Sequence, residues 1–167
     1  MKTDFFENYA SRLQTVIAEY QWEPVSQLAL ALRTAWEEKR SVFLCGNGGS
    51  AGNAIHLAND FLYGVGGNNL PGMKVEALSA NPSVLTCLGN DIGFEEIFSE
   101  QLRSKAESGD LLIVLSGSGN SKNVVRALEV GNEIGMKTVA ILGYSGGQCL
   151  NLAQLPIHCS IDDMQIC

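Results

Sequence analysis

Five short apolar runs, spaced by stretches of helical periodicity, constrain this chain more than any other feature. The runs occupy residues 41–45, 73–78, 111–115, 138–142 and 156–161; the strongest is 111–115 and the weakest 73–78. A strand with one wet face alternates apolar and polar residues, whereas a strand covered on both faces reads as a continuous apolar run. Helical patterns fall between the runs, at 51–61, at 83–88 with 94–104, at 122–134 and at 149–155. Strands that alternate with helices predict an α/β fold, a three-layer doubly wound parallel sheet of five strands. Ahead of the sheet, Phe5, Phe6, Tyr9, Leu13, Val16, Ile17 and Tyr20 recur at helical spacing, and Val25, Leu28, Leu32, Ala35 and Trp36 do so again after Pro24. These are two amphipathic N-terminal helices, whose apolar stripes face either the core or a second subunit.

Composition narrows the function. The 167 residues suit one domain with one sizeable core, with no linker and no internal repeat. The net charge is −7, from 11 Lys and Arg against 18 Asp and Glu, and no basic cluster is present. A nucleic-acid partner is therefore not expected. No apolar run approaches the roughly 20 residues that span a bilayer, and the first residues, with early acids, do not read as a signal peptide. Five cysteines without CxxC spacing read as reduced thiols of a cytoplasmic protein. The glycine-rich piece at 63–69 reads as a surface loop.

Ligands of open α/β sheets bind beyond the carboxyl ends of the strands. Two of these ends are unusual. After the run at 111–115 comes Ser116-Gly117-Ser118-Gly119-Asn120-Ser121, then a helix. Glycines let backbone N–H groups approach a ligand, serines add hydroxyl donors, and a helix N-terminus adds unpaired N–H groups and a positive dipole end. That chemistry suits phosphate. The same residues also make an ordinary turn and N-cap, so the loop alone does not choose between the two. After the run at 41–45 comes Gly46-Asn47-Gly48-Gly49-Ser50. It lacks both the complete GxGxxG fingerprint and the GK[ST] ending of a P-loop, so no nucleotide cofactor is expected. Asn47 and Ser50 suit sugar hydroxyls, and Ser50 is also a candidate helix cap.

His56 and Asp60 lie four residues apart on the next helix and share a face. Such a pair binds a divalent metal, relays protons, or is simply an exposed i,i+4 pair. Asn90 and Asp91 follow in a break between helical pieces, where turn chemistry is the ordinary role. Near the end, Asp162 or Asp163 is placed to cap a new helix, and His158, within the last run, reads as a structural histidine.

Together, residues 45–50, His56, residues 90–95, residues 116–121 and residues 143–147 resemble, in order, a sugar isomerase (SIS) domain of the phosphoheptose isomerase type. The resemblance spans the chain from the first helix onward. It implies a flavodoxin-like SIS fold and a homo-oligomer, a tetramer or dimer. It also implies an aldose–ketose isomerase that interconverts sedoheptulose 7-phosphate and a heptose 7-phosphate, on the route to lipopolysaccharide heptose. By the same resemblance, phosphate falls to Ser116, Gly117, Ser118 and Ser121, and the sugar to Asn47, Gly48, Gly49, Ser50, Asn90, Asp91 and Gln165. Asp60 takes the place of the catalytic carboxylate. His56, Asp60 and Gln165 match three of the ligand positions of members that bind zinc.

The match departs from the family at four places. Asp60 stands where the family has Glu, which shortens the carboxylate's reach; misplacement by about 1 Å costs on the order of a hundredfold in rate. Gly117 replaces a Thr, and Gly64 an Arg. The family also continues past Gln165 into a helix that carries a catalytic, metal-binding His, so residues 1–167 read as a single SIS domain without that helix. Two functions are compatible with this pattern. One is the isomerase; the other is a non-catalytic SIS module, of the DnaA-binding or sugar-phosphate-sensing kind.

Overall fold

Strands β1 (Ser41–Gly46) and β3 (Leu111–Ser116), which carry the two unusual loops, lie side by side at the centre of a parallel sheet. The computed structural model describes residues 4–64 and 70–166. Its five strands are ordered β2 (Lys74–Ala77), β1, β3, β4 (Lys137–Leu142) and β5 (Leu155–His158), all parallel. This is the expected doubly wound, flavodoxin-like order. The chain steps one way from β1 to β2 and then the other way to β3, so β1 and β3 flank the topological switch point. In register, Gly46 pairs with Leu115, which brings both loops out of the sheet together.

Alternate residues of the central strands enter two separate cores. Leu112 and Val114 pack with Phe98, Leu102, Val124 and Leu128 on one face. Leu111, Ile113 and Leu115 pack with Val42, Leu44 and Ala54 on the other. Burial on both faces is the physical reason that these strands are apolar throughout. Each such Leu contributes roughly 1.5–3 kcal/mol of burial.

Ahead of β1 run α1 (Asp4–Glu19) and α2 (Glu23–Glu37), of which α2 packs on the second face through Ala31 and Ala35, and the crossovers are α3 (Gly49–Asn59), α4 (Pro82–Asp91), α5 (Ser99–Lys105), α6 (Lys122–Ile134) and α7 (Cys149–Leu152). Helix α6 has the bounds its sequence predicts, because Ser121 precedes it in an extended conformation and Gly135 ends it at φ +86°. Helix α4 starts where Asn81 accepts from the N–H groups of Ser83 and Val84, with Pro82 in the first turn.

Several boundaries differ from expectation. Helix α4 runs on through Asp91, so Asn90 and Asp91 end a helix instead of standing in the expected break; the break falls at Gly93, at φ +136°, and a 3₁₀ turn at Phe94–Glu96 takes the start of the expected 94–104 piece before α5. Helix α3 gives way to one π turn, Asp60–Gly64. Helix α7 stops early because Leu155 begins β5. The last strand is shorter than 156–161: Cys159 still donates to Leu142 O, and the chain then turns away. Pro156 is tolerated because β5 is an edge strand. Asp163 accepts from the N–H of Gln165 at 3.1 Å, but it opens a turn, not the expected helix. Residues 65–69 of the expected glycine-rich loop, and Cys167, lie outside the described residues.

Helix α1 has no buried residue. Phe5, Phe6, Leu13 and Ile17 are exposed on it, and Arg12 holds it to the body through Asp163 at 3.1 Å. Among the described residues, no helix is long and apolar enough to cross a membrane.

Candidate functional site

The loop after β3 is a closed hoop. Ser116 Oγ accepts from Gly119 N at 3.0 Å, and Ser118 Oγ accepts from Asn120 N at 3.3 Å. A second loop, following β4, braces it from outside. Cys149 N donates to Gly119 O at 3.0 Å, Gln148 N donates to Asn120 Oδ1 at 3.0 Å, and Gly143 N donates to Gly117 O at 3.1 Å. The contact is close enough to demand glycine. A Cβ on Gly119, whose φ is +64°, would lie 1.9 Å from Gly146 O.

Two features leave the hoop ready for an anion. Ser121 occupies the cap position of α6 without a side-chain cap bond, so its hydroxyl is not used by its own helix. The N–H groups of Ser121, Lys122 and Asn123 have no hydrogen-bond partner among the described residues. These are the orphan donors at the positive end of a helix dipole.

The loop after β1 is held against the hoop. A Cβ on Gly46 would lie 2.8 Å from Leu115 O and 2.8 Å from Ser50 Cβ, so this position has no room for a side chain. Gly48, at φ +55° and ψ −121°, takes the cap position of α3; Ser50 therefore lies inside the helix rather than capping it. Asn47 and Asn123 join the loops directly. Asn47 Nδ2 donates to Asn123 Oδ1 at 2.8 Å, and Asn123 Nδ2 donates to Asn47 Oδ1 at 2.9 Å. Ser50, Asn53, Ser116 and Gly117 line one cavity of about 150 Å³, with Tyr20 and Cys159 at its wall. That volume is below the roughly 300 Å³ at which pockets for larger ligands begin, so it suits one end of a ligand. A larger hollow along β2, lined by Ile55, Asn59, Leu62 and Glu76, shares no residue with either loop.

The other candidates are spread more widely. Asn90 and Asp91 end α4, where Asn90 Nδ2 donates to Asp91 Oδ1 at 2.8 Å and the Cys87 thiol donates to Asp91 Oδ2 at 3.5 Å. No hydrogen bond ties their side chains to the two loops among the described residues. Gln165 is exposed in the turn whose Met164 borders Gly117; a Cβ on Gly117 would meet Met164 Sδ at an ordinary 3.5 Å. His56 Nε2 and Asp60 Oδ2 are 3.4 Å apart on the outer end of α3, their side chains 77% and 52% exposed. From Ser50 to Asp60 is about 15 Å along the helix, at about 1.5 Å per residue.

For zinc, His56 and Asp60 offer one nitrogen and one oxygen donor, whereas a zinc site takes at least three protein ligands. Among the described residues, no group of three His, Cys, Asp or Glu side chains is placed to hold a metal. His158 is structural, as expected: its Nε2 lies 2.9 Å from Tyr144 O, to which it donates in the matching tautomer. Nor are the buried thiols nucleophiles. Burial pushes Cys45 far above the usual thiol range and Cys149 up to about 11.

Residues 4–143 match the model of the SIS domain family. The chain belongs to the SIS domain family. Its relatives are of the phosphoheptose isomerase type. It is 38% identical over 150 residues to the phosphoheptose isomerase of Chlorobaculum parvum, covering 89% of this chain and 72% of that protein. It is 41% identical over 133 residues to that of Akkermansia muciniphila, covering 80% and 70%. The solved structure of a phosphoheptose isomerase from Francisella tularensis superposes with a TM-score of 0.90 at 26% identity, covering 99% of this chain and 90% of that one. The SIS domain also contains a residue that sequence reasoning missed, Asn123. Its signal was available: it is a polar residue on the buried face of α6, beside Val124 and Ala127, and it is 2% exposed.

Proposed function

We propose that this SIS domain is a phosphoheptose isomerase that interconverts sedoheptulose 7-phosphate and D-glycero-D-manno-heptose 7-phosphate in the cytoplasm. The observation that carries the reading is the hoop at 116–121, with its unpaired helix N–H groups locked to the sugar loop at the switch point of the sheet. The likeness to phosphoheptose isomerases along most of the chain supports it.

On this reading, Ser116, Gly117, Ser118 and Ser121 hold the phosphate. Asn47, Gly48, Gly49, Ser50, Asn90, Asp91 and Gln165 hold the sugar hydroxyls and carbonyl. A base takes a proton from C1 of the ketose, leaving an enediolate, and the proton returns at C2 while the hydroxyl proton moves from O1 to O2. Asp60 is the base, with the His56 imidazole 3.4 Å away to orient it and to relay the oxygen-bound proton.

Distance bears on assembly. His56 and Asp60 stand at the far end of α3 from the two loops, Asp60 about 15 Å along the helix from Ser50 at about 1.5 Å per residue. The exposed apolar stripe of α1 offers the means to bring a second copy close. In such a homo-oligomer, His56 and Asp60 of one copy serve the loops of another, and a metal ligand set would also be completed between copies.

The test is to incubate the protein with sedoheptulose 7-phosphate and follow aldose formation by NMR, with zinc added and with zinc removed. Aldose that disappears in Asp60→Asn supports the reading. Tight binding without aldose under either condition replaces it with the sugar-phosphate-sensing module, which the shortened carboxylate and Gly117 favour.

A further inference from the structure

Asn123 has no role in the chemistry above, yet it is the most deeply buried polar group at the site. It is 2% exposed, and its amide is committed to a single partner, Asn47. The two amides are reciprocal: each donates once and accepts once, at 2.8 and 2.9 Å. Their positions in the chain are informative. Asn47 stands in the loop between β1 and α3, one residue before the glycine that caps α3. Asn123 is the second residue of α6, the helix whose N-terminus closes the phosphate hoop. The bonds therefore span 76 residues of sequence to join the two halves of the site.

We infer that Asn123 is a positioning residue that sets the spacing between the phosphate hoop and the sugar loop by fixing the Asn47 amide. The inference rests on the sugar-phosphate reading above and deepens it by naming what matches the site to the length of its ligand. A primary amide has two N–H donors and two acceptor lone pairs. After pairing with Asn123, Asn47 keeps one N–H and one lone pair for a sugar hydroxyl, and the pair fixes their direction. The backbone N–H of Asn123 belongs to the hoop side and does not depend on its side chain.

That division makes the inference testable, because phosphate and sugar respond differently. The variant Asn123→Ala keeps every backbone donor of the hoop and removes the clamp. Inorganic phosphate, measured by calorimetry, is expected to bind within about threefold of the wild type. Sedoheptulose 7-phosphate is expected to bind about 10- to 100-fold more weakly, the scale of a buried polar group left without its partner. In an Asn47→Ala background the same change is expected to add less than about twofold, since the clamp is already gone. Asn123→Ser, a smaller loss of packing, is a second variant should Asn123→Ala fail to fold, and circular dichroism reports folding for each. Equal weakening of both ligands, or independent losses in the double variant, overturns the clamp while leaving the sugar-phosphate reading in place. A wild-type protein that binds phosphate but not the sugar phosphate overturns both.

Discussion

Gly117 and Gly119 are two residues apart in one loop, and the structure predicts opposite responses to the same added methyl. At Gly119 the backbone is left-handed, with φ +64°, and a Cβ would lie 1.9 Å from Gly146 O and 2.5 Å from its carbonyl carbon. The left-handed conformation costs an L residue about 1–2 kcal/mol. Displacing a packed backbone adds about 1–3 kcal/mol, the usual range for overpacking. Gly119→Ala is thus expected to lose about 2–5 kcal/mol, a fall in Tm of roughly 5–15 °C for a domain of this size. At Gly117 no positive φ is imposed, and the nearest atoms are Met164 Sδ and Tyr144 Cε2 at 3.5 Å, ordinary contact. Gly117→Ala is expected to be neutral or to stabilise by about 0.4–1 kcal/mol through the unfolded chain. Urea unfolding measures both, and calorimetry with inorganic phosphate reads the hoop, which only Gly119→Ala should open. A Gly119→Ala protein within about 0.5 kcal/mol of wild type refutes the steric argument, because the brace between the two loops would then be slack.

Thiol labelling at pH 8 should reach Cys87 in the native protein but spare Cys45 and Cys149 until it unfolds, because burial protects both and raises their pKa values. Glu96 is held below the ordinary carboxylate range, first by the donating hydroxyl of Ser99 and then by Arg126 and Arg103. Folding favours its ionised form, so its contribution is complete above the ordinary range and is lost as pH falls through the folded value. The gap in urea midpoint between wild type and Glu96→Gln should accordingly close on acidification from pH 7 to 3; a constant gap would be the contrary result. His158→Ala removes the bond to Tyr144 O, 2.9 Å long, and should lower stability by about 1–2 kcal/mol. Light scattering should show Phe6→Asp with Ile17→Asp reduced to a monomer if the exposed stripe of α1 joins copies.

Much of the fold is legible in the residues because two signals agree. The runs at 41–45 and 111–115 are apolar throughout, and the strands there prove to be covered on both faces. Helix α6 is flanked by Ser121 and Gly135, so periodicity and end chemistry agree. Where only one signal exists, boundaries slip. Pro156 and His158 lie on an edge strand that needs to satisfy only one neighbour, and the strand ends before the apolar pattern does. The two loops are legible as candidates from their glycines, but their union is not. A glycine forced by Leu115 O at 2.8 Å, or an amide pair across 76 residues, is a long-range contact without local trace. The converse holds for His56 and Asp60. Their shared face is local and readable, yet the length of α3 alone separates them from the loops, and spacing within a motif carries no such distance.

The brace on the phosphate hoop has a thermodynamic consequence. A loop that must order itself around a ligand gives up conformational entropy on binding, and its affinity is reduced by that loss. Here Gly117, Gly119 and Asn120 are already tied to residues 143–149 by the hydrogen bonds of Gly143, Gln148 and Cys149. The hoop is rigid before any anion arrives. The bonded amide protons of Gly143, Gln148 and Cys149 should then exchange slowly with solvent in the empty protein, whereas the unpaired N–H groups of Ser121, Lys122 and Asn123 should gain protection only when an anion binds. The strand β4, which contributes no residue to the proposed chemistry, in this way supplies the loop that keeps the receptor preorganised.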